Sequence, residues 1–121
     1  MNEEQVPTKP TKKKHFKMLD RVKSFMRVQP DDVKREFAFI TEKLEWNGKL
    51  YSPYGEKVDG KGLFAIRIME SANVRVFYVY GRDNYVFGIH GYVKKTTTIP
   101  KKELKEARRA LRELILGGFI R

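Results

Sequence analysis

Cysteine is absent from the 121 residues and histidine occurs only twice. Disulfide stapling is therefore impossible, and a structural zinc site built from cysteine and histidine is excluded. Stability has to come from a core. No stretch approaches the roughly 20 apolar residues of a membrane-spanning helix, and the amino terminus, MNEEQVPTKP, is polar rather than signal-like. The expectation is a soluble, cytoplasmic protein with no membrane partner. Acidic residues are scarce as well: 15 Asp and Glu face 26 Lys and Arg, leaving +11 at neutral pH. Such an excess costs self-repulsion and is usually kept because the partner is a polyanion, nucleic acid before an anionic membrane.

What is present suffices for one domain. With 40% hydrophobic and 12% aromatic residues, the chain can bury a single core and is too short for two. The charge is uneven, since from Lys94 to Arg121 nine cations stand against three glutamates. More than half of the net charge lies in the last quarter, an electrostatic footprint rather than an even coat. Residues 1–14, with two prolines and a lysine run, offer almost nothing to bury and are expected to be a disordered basic tail. One domain over 15–121 follows.

Phe16, Leu19, Val22 and Met26 recur at near-helical spacing, although the start of that segment also suits an irregular strand. A second helix begins near Pro30 and ends at Gly48, with Asp31 and Asp32 at the positive end of its dipole and Val33, Phe37, Ile40 and Leu44 on one face. The segment 49–62 is rich in Gly, Pro and Tyr and reads as an exposed connection. Leu63–Met69, Val74–Tyr80 and Tyr85–Val93 are β-branched and aromatic, joined by the short links ESAN and GRDN, and predict an antiparallel meander. Pro100 opens a last helix with Leu104, Ala107, Leu111 and Leu114 on one side and Lys101, Lys102, Lys105, Arg108, Arg109 and Arg112 on the other. The fold class is α+β: two N-terminal helices, a sheet of three to four antiparallel strands and a C-terminal helix, with the helices layered on one face.

Strict alternation places Tyr85, Phe87, Ile89 and Val93 on one side of the third strand and Val86, Gly88, His90, Tyr92 and Lys94 on the other. The second set files an imidazole, a phenol and an ammonium beside Gly88, where a ligand has room to approach. In the first strand the same rule buries Phe64, Ile66 and Ile68 and turns Ala65, Arg67 and Met69 outward. Arg67, with no carboxylate on its own strand face, is a candidate phosphate ligand. Arg75 either opposes it directly or stands apart, depending on the turn. Bland alternatives exist for each: a backbone carbonyl partner for His90, surface packing for Tyr92, ion pairs from the arginines to Glu70, Asp83 or a helix carboxylate, and a merely solvated face for Lys94–Arg112.

Taken in order, GLFAIRI, VRVFYVY and VFGIHGYVKKTTTIPKKELKEARR resemble the RelE/HigB superfamily, particularly its phage-derived HigB-like branch. The resemblance spans Trp46 to Arg109. It implies a RelE-like toxin domain: a compact mRNA endoribonuclease acting in the ribosomal decoding site and silenced by an antitoxin, often a helix-turn-helix protein. Arg67, Arg75, His90, Tyr92, Lys94 and Lys95 fall on the matching motifs, and Lys57, in the loop before the sheet, is a weaker match. Two departures stand out. Ala65 occupies a position where many relatives have glutamate, and PTKKKHFKML is poorly patterned for the usual N-terminal strand, which leaves either a shorter sheet edge or a strand present despite its pattern.

These residues suit RNA cleavage without metal or cofactor, in which the 2′-hydroxyl attacks the adjacent phosphate. Arg67 and Arg75 would stabilise the phosphorane oxygens through planar paired donors. His90, Tyr92 and Lys94 are the candidate proton carriers. Lys57, Lys95, Lys101, Lys102, Arg108 and Arg109 would hold the RNA backbone. The alternative is a non-catalytic RNA- or ribosome-binding module with the same fold.

Overall fold

The computed structural model describes residues 10–120. The expected tail lies outside them through position 9. Helix α1 (Asp20–Arg27) precedes α2 (Asp31–Asn47), and α3 (Lys101–Leu116) ends the domain. In α2, Val33, Phe37, Ile40 and Leu44 are all buried, as the spacing of four, three and four requires of one helix face. Gly48 closes it in the left-handed region at φ +79°, donating its N–H to the Leu44 carbonyl. No helix among the described residues is long and apolar enough to cross a membrane.

Five strands form one mixed sheet in the order β1-β5-β4-β3-β2. The meander β3 (Phe64–Ile68), β4 (Val74–Tyr80) and β5 (Tyr85–Val93) is antiparallel as expected. Two strands enlarge the predicted sheet. β2 (Gly55–Lys57) pairs antiparallel with β3, inside the segment expected to be an exposed connection. β1 (His15–Met18) pairs parallel with β5, so Phe16 belongs to a strand while Val22 and Met26 belong to α1. Glu45 on α2 anchors β1: its carboxylate accepts the Phe16 N–H at 2.9 Å and meets Lys12 Nζ at 2.9 Å, and its carbonyl accepts the N–H groups of Lys13 and Lys14.

The helices cover both faces of the sheet, which corrects the expectation of a single helical layer. Val22 and Met26 of α1 and the α2 stripe pack with Ile66, Ile68, Val74, Val76, Tyr78 and Val86. Ala107, Ala110 and Leu114 of α3 pack on the opposite side with Ala65, Phe77, Val79, Phe87 and Ile89. The physical reason is β4, whose first six residues are all buried. A strand that is apolar on both faces needs a layer on each. Ala65 is accordingly buried under α3 rather than turned out to solvent.

A bulge corrects the alternation expected along β5. Phe77 pairs with His90 and its neighbour Tyr78 pairs with Gly88, leaving Ile89 as the extra residue. Before the bulge Val86 and Gly88 face α2; after it His90 and Tyr92 face the side of α3. Gly88 thus leaves no room beside His90: a Cβ there would lie 2.7 Å from the Phe16 ring. Gly91 shares that inner side, against the ring of Phe25.

Candidate functional site

Cross-strand partners in a sheet project to the same face, so the register defines two rows on the side of α3. The first is Glu56, Ala65, Phe77 and His90, running β2 to β5. The second, two residues or roughly 7 Å further along the strands, is Arg67, Arg75 and Tyr92. Of the two arrangements open to the arginines, the direct opposition is the one found. The Phe77 ring joins the rows, stacking on His90 at 6.2 Å and on Tyr92 at 5.6 Å.

The register is held from outside. Glu36 of α2 accepts the N–H groups of Met69, Glu70 and Ser71 and the Ser71 hydroxyl, all between 2.7 and 3.2 Å. One carboxylate so fixes the turn between β3 and β4 that sets Arg67 against Arg75. Partial burial pushes the Glu36 carboxyl up, but these hydrogen bonds outweigh it and keep the group below its ordinary value.

Arg75 is 4% exposed, the one charged residue among the described residues that is fully buried. Its Nη1 donates to the Val74 carbonyl at 3.1 Å. Its Nε lies 3.8 Å from Glu56 Oε1, too far for a hydrogen bond. Burial lowers the Arg75 pKa, and the nearby Arg67 charge lowers it further. Burial likewise pushes the Tyr92 phenol up, against the pull of Arg75, so this hydroxyl keeps its proton. Four buried side-chain polar atoms among the described residues have no partner: Glu56 Oε1, Arg67 Nε, Arg75 Nε and Tyr92 Oη. Folded proteins satisfy most such atoms, and each exception calls for a reason. Here all four belong to one patch of one face.

His90 borders the patch with its Nε2 3.2 Å from Glu103 Oε1, in the first turn of α3. Its partner is a carboxylate rather than a backbone carbonyl. Neither Glu70, Asp83 nor a helix carboxylate pairs with the arginines; Glu56, from the strand hidden in the presumed connection, is the acid near Arg75. Sequence reading missed Glu56 and Glu103. A three-residue strand is too short to show periodicity, and a helix-borne acid carries no signal of the histidine it will meet.

The remaining candidates spread outward. Lys94 follows β5, half-buried, with its N–H and carbonyl bonded to Asn73. Lys57 is exposed and pairs with Phe64, putting it on the α2 side of the sheet, away from Glu56. Lys95, Lys101 and Lys102 are exposed. Arg108 and Arg109 are exposed too, but engaged with Asp59 at 3.5 Å and Glu106 at 3.6 Å. No group of three or more His, Asp or Glu residues among the described ones is placed to hold a metal ion.

Residues 24–112, roughly three quarters of the chain, match the family described as phage derived protein Gp49-like (DUF891). The chain belongs to this Gp49-like family. The match takes in β2 through β5 and most of α3, so every site residue named above lies inside it. The Gp49-like family is one of RelE/HigB-like toxins, and the α+β architecture, three helices on a five-stranded mixed sheet, is consistent with a RelE-like fold. Membership suggests a phage-derived toxin of a toxin-antitoxin pair, with an antitoxin as partner. A search of curated proteins finds no match.

Proposed function

We propose that this Gp49-like protein is a HigB-like toxin that cleaves mRNA on the ribosome, in the cytoplasm, and is neutralised by a cognate antitoxin of the helix-turn-helix type. One observation carries the reading. The unpaired buried atoms of Arg67, Arg75, Tyr92 and Glu56 lie together on one face, and their chemistry is complementary to a phosphodiester. Two opposed guanidinium groups repel unless an anion lies between them, and guanidinium is the side chain best matched to phosphate oxygens.

In this reading the 2′-hydroxyl of the RNA attacks the adjacent phosphorus, which explains selection of RNA over DNA without base readout. Arg67 and Arg75 stabilise the charge that builds on the phosphorane oxygens. Tyr92, held neutral by burial, donates its proton to the departing 5′-oxygen. His90 is oriented by Glu103 and exchanges protons at the margin. Lys94 and Lys95, with Lys101 and Lys102 at the start of α3, supply positive field for the RNA backbone.

The test is to incubate the purified chain with translating ribosomes and map new RNA ends. Wild-type protein is expected to create discrete termini that Arg75→Ala abolishes. Footprints without new termini would replace the nuclease with a non-catalytic ribosome-binding module.

A further inference from the structure

The two rows on the α3 side are incomplete as a catalytic apparatus without an acceptor for the proton of the attacking hydroxyl. In-line displacement at phosphorus demands that the entering and leaving oxygens lie on opposite sides of the phosphorus atom. An acid and a base for that reaction therefore sit on opposite flanks of the groups that hold the phosphate. Across the sheet the unpaired atoms follow in strand order: Glu56 on β2, Arg67 on β3, Arg75 on β4 and Tyr92 on β5. The hydroxyl donor is at one end, the guanidinium pair is in the middle, and a carboxylate is at the other.

Glu56 reaches this position because of what stands next to it. Its cross-strand neighbour is Ala65, whose methyl group lets the carboxylate extend over β3 to within 3.8 Å of Arg75 Nε, two strands away. Its Oε1 is buried and accepts no hydrogen bond. A buried carboxylate oxygen with free acceptor capacity, beside two phosphate-directed arginines, is placed to receive a proton from a hydroxyl brought there by its phosphate.

We infer that Glu56 is the general base of the reaction, a proposal that rests on the nuclease reading above. Glu56 Oε1 takes the proton of the 2′-hydroxyl as the 2′-oxygen forms its bond to phosphorus. The bond from phosphorus to the 5′-oxygen breaks, and Tyr92 Oη protonates that oxygen. The products are a 2′,3′-cyclic phosphate and a 5′-hydroxyl end. The proton held by Glu56 and the one lost by Tyr92 are restored by exchange with solvent, so no other reactant is consumed.

The experiment measures single-turnover and steady-state cleavage by the full chain with translating ribosomes for wild type, Glu56→Gln, Glu56→Ala and Arg67→Ala. Glu56→Gln keeps the size of the side chain and removes its basicity. It is expected to lower kcat by about a hundredfold or more, the usual scale for a lost general base, with KM changed by less than about threefold. Formate added to Glu56→Ala is expected to restore part of the rate, which a structural role would not allow. Full kcat in Glu56→Gln, or a rate in Glu56→Ala that formate leaves unmoved, overturns the assignment, whereas loss of cleavage in Arg67→Ala alone keeps the nuclease reading. Absence of cleavage by wild-type protein overturns both. If Glu56→Gln fails to give a folded protein by circular dichroism, the formate response of Glu56→Ala decides.

Discussion

Arg67 and Arg75 face each other across β3 and β4 as direct register partners, and the nearest carboxylate stops 3.8 Å short of Arg75. Like charges opposed on a sheet are destabilising. Arg67→Ala is therefore expected to leave stability unchanged or raise it by up to about 1 kcal/mol, while cleavage falls by at least about a hundredfold. Urea denaturation beside an RNA cleavage assay checks both. A variant that is clearly less stable and still fully active would make the pair structural.

Tyr92→Phe separates stability from activity in the same way. The Tyr92 hydroxyl is buried without a partner, so removing it takes away a desolvated polar group and the free energy of unfolding stays level or rises. Loss of the proton donor is expected to cost about a hundredfold in rate. Because burial raises the Tyr92 pKa, wild-type activity should not fall across the ordinary titration range of a free phenol, near pH 10. A decline centred on that pH would show an unshifted phenol.

Glu36→Gln loosens the turn that sets the arginine register. The variant keeps one acceptor but loses the charge that strengthens four hydrogen bonds, a loss of about 1–2 kcal/mol. The sign with pH follows from the lowered pKa. Stability supplied by this carboxylate is fully present above its ordinary value of 4.5 and disappears as the pH falls through its lower folded value. Thermal melts of wild type and variant should converge in acid and diverge toward neutrality; a constant gap would contradict the assignment.

Gly88→Ala tests the bulge. The added methyl would lie 2.7 Å from the Phe16 ring, and overpacking at such a contact costs about 1–3 kcal/mol. An unchanged melting temperature would mean that Gly88 opens onto the other face, as uninterrupted alternation requires.

The basic helix divides into free and engaged cations. Arg108 and Arg109 are ion-paired, while Lys101 and Lys102 are exposed at the start of α3 without an ion pair among the described residues. Lys101→Ala with Lys102→Ala is expected to weaken RNA binding more than the corresponding arginine pair. The slope of log affinity against log salt should fall by roughly 0.7 for each phosphate contact removed. Equal effects of the two pairs would show that the ion pairs open on binding.

Long periodic segments were legible in the sequence because burial itself wrote the pattern. The stripe Val33, Phe37, Ile40 and Leu44 located α2, and the β-branched runs located β3, β4 and β5 nearly to the residue. Strands of three and four residues carry no comparable pattern. β2 and β1 are made by pairing with neighbours and, for β1, by Glu45, so both escaped a reading of local spacing. The arginine pair was nameable but its opposition was not, since Glu36, more than 30 residues away, fixes the turn. The bulge at Ile89 moved Gly88 to the other face and so removed the expected opening beside His90. The helical layer on each face was in principle visible in VRVFYVY, a strand with apolar residues on both sides.

One measurement bears most directly on the phosphodiester site: chemical analysis of RNA ends produced by the purified chain, using a substrate and its counterpart with a single 2′-deoxy sugar at the cleaved position. Cyclic 2′,3′-phosphate and 5′-hydroxyl ends from the first and no cleavage of the second are expected. Cleavage of the deoxy substrate at the same position and rate would contradict an attack by the 2′-oxygen on the face built by Arg67, Arg75 and Tyr92.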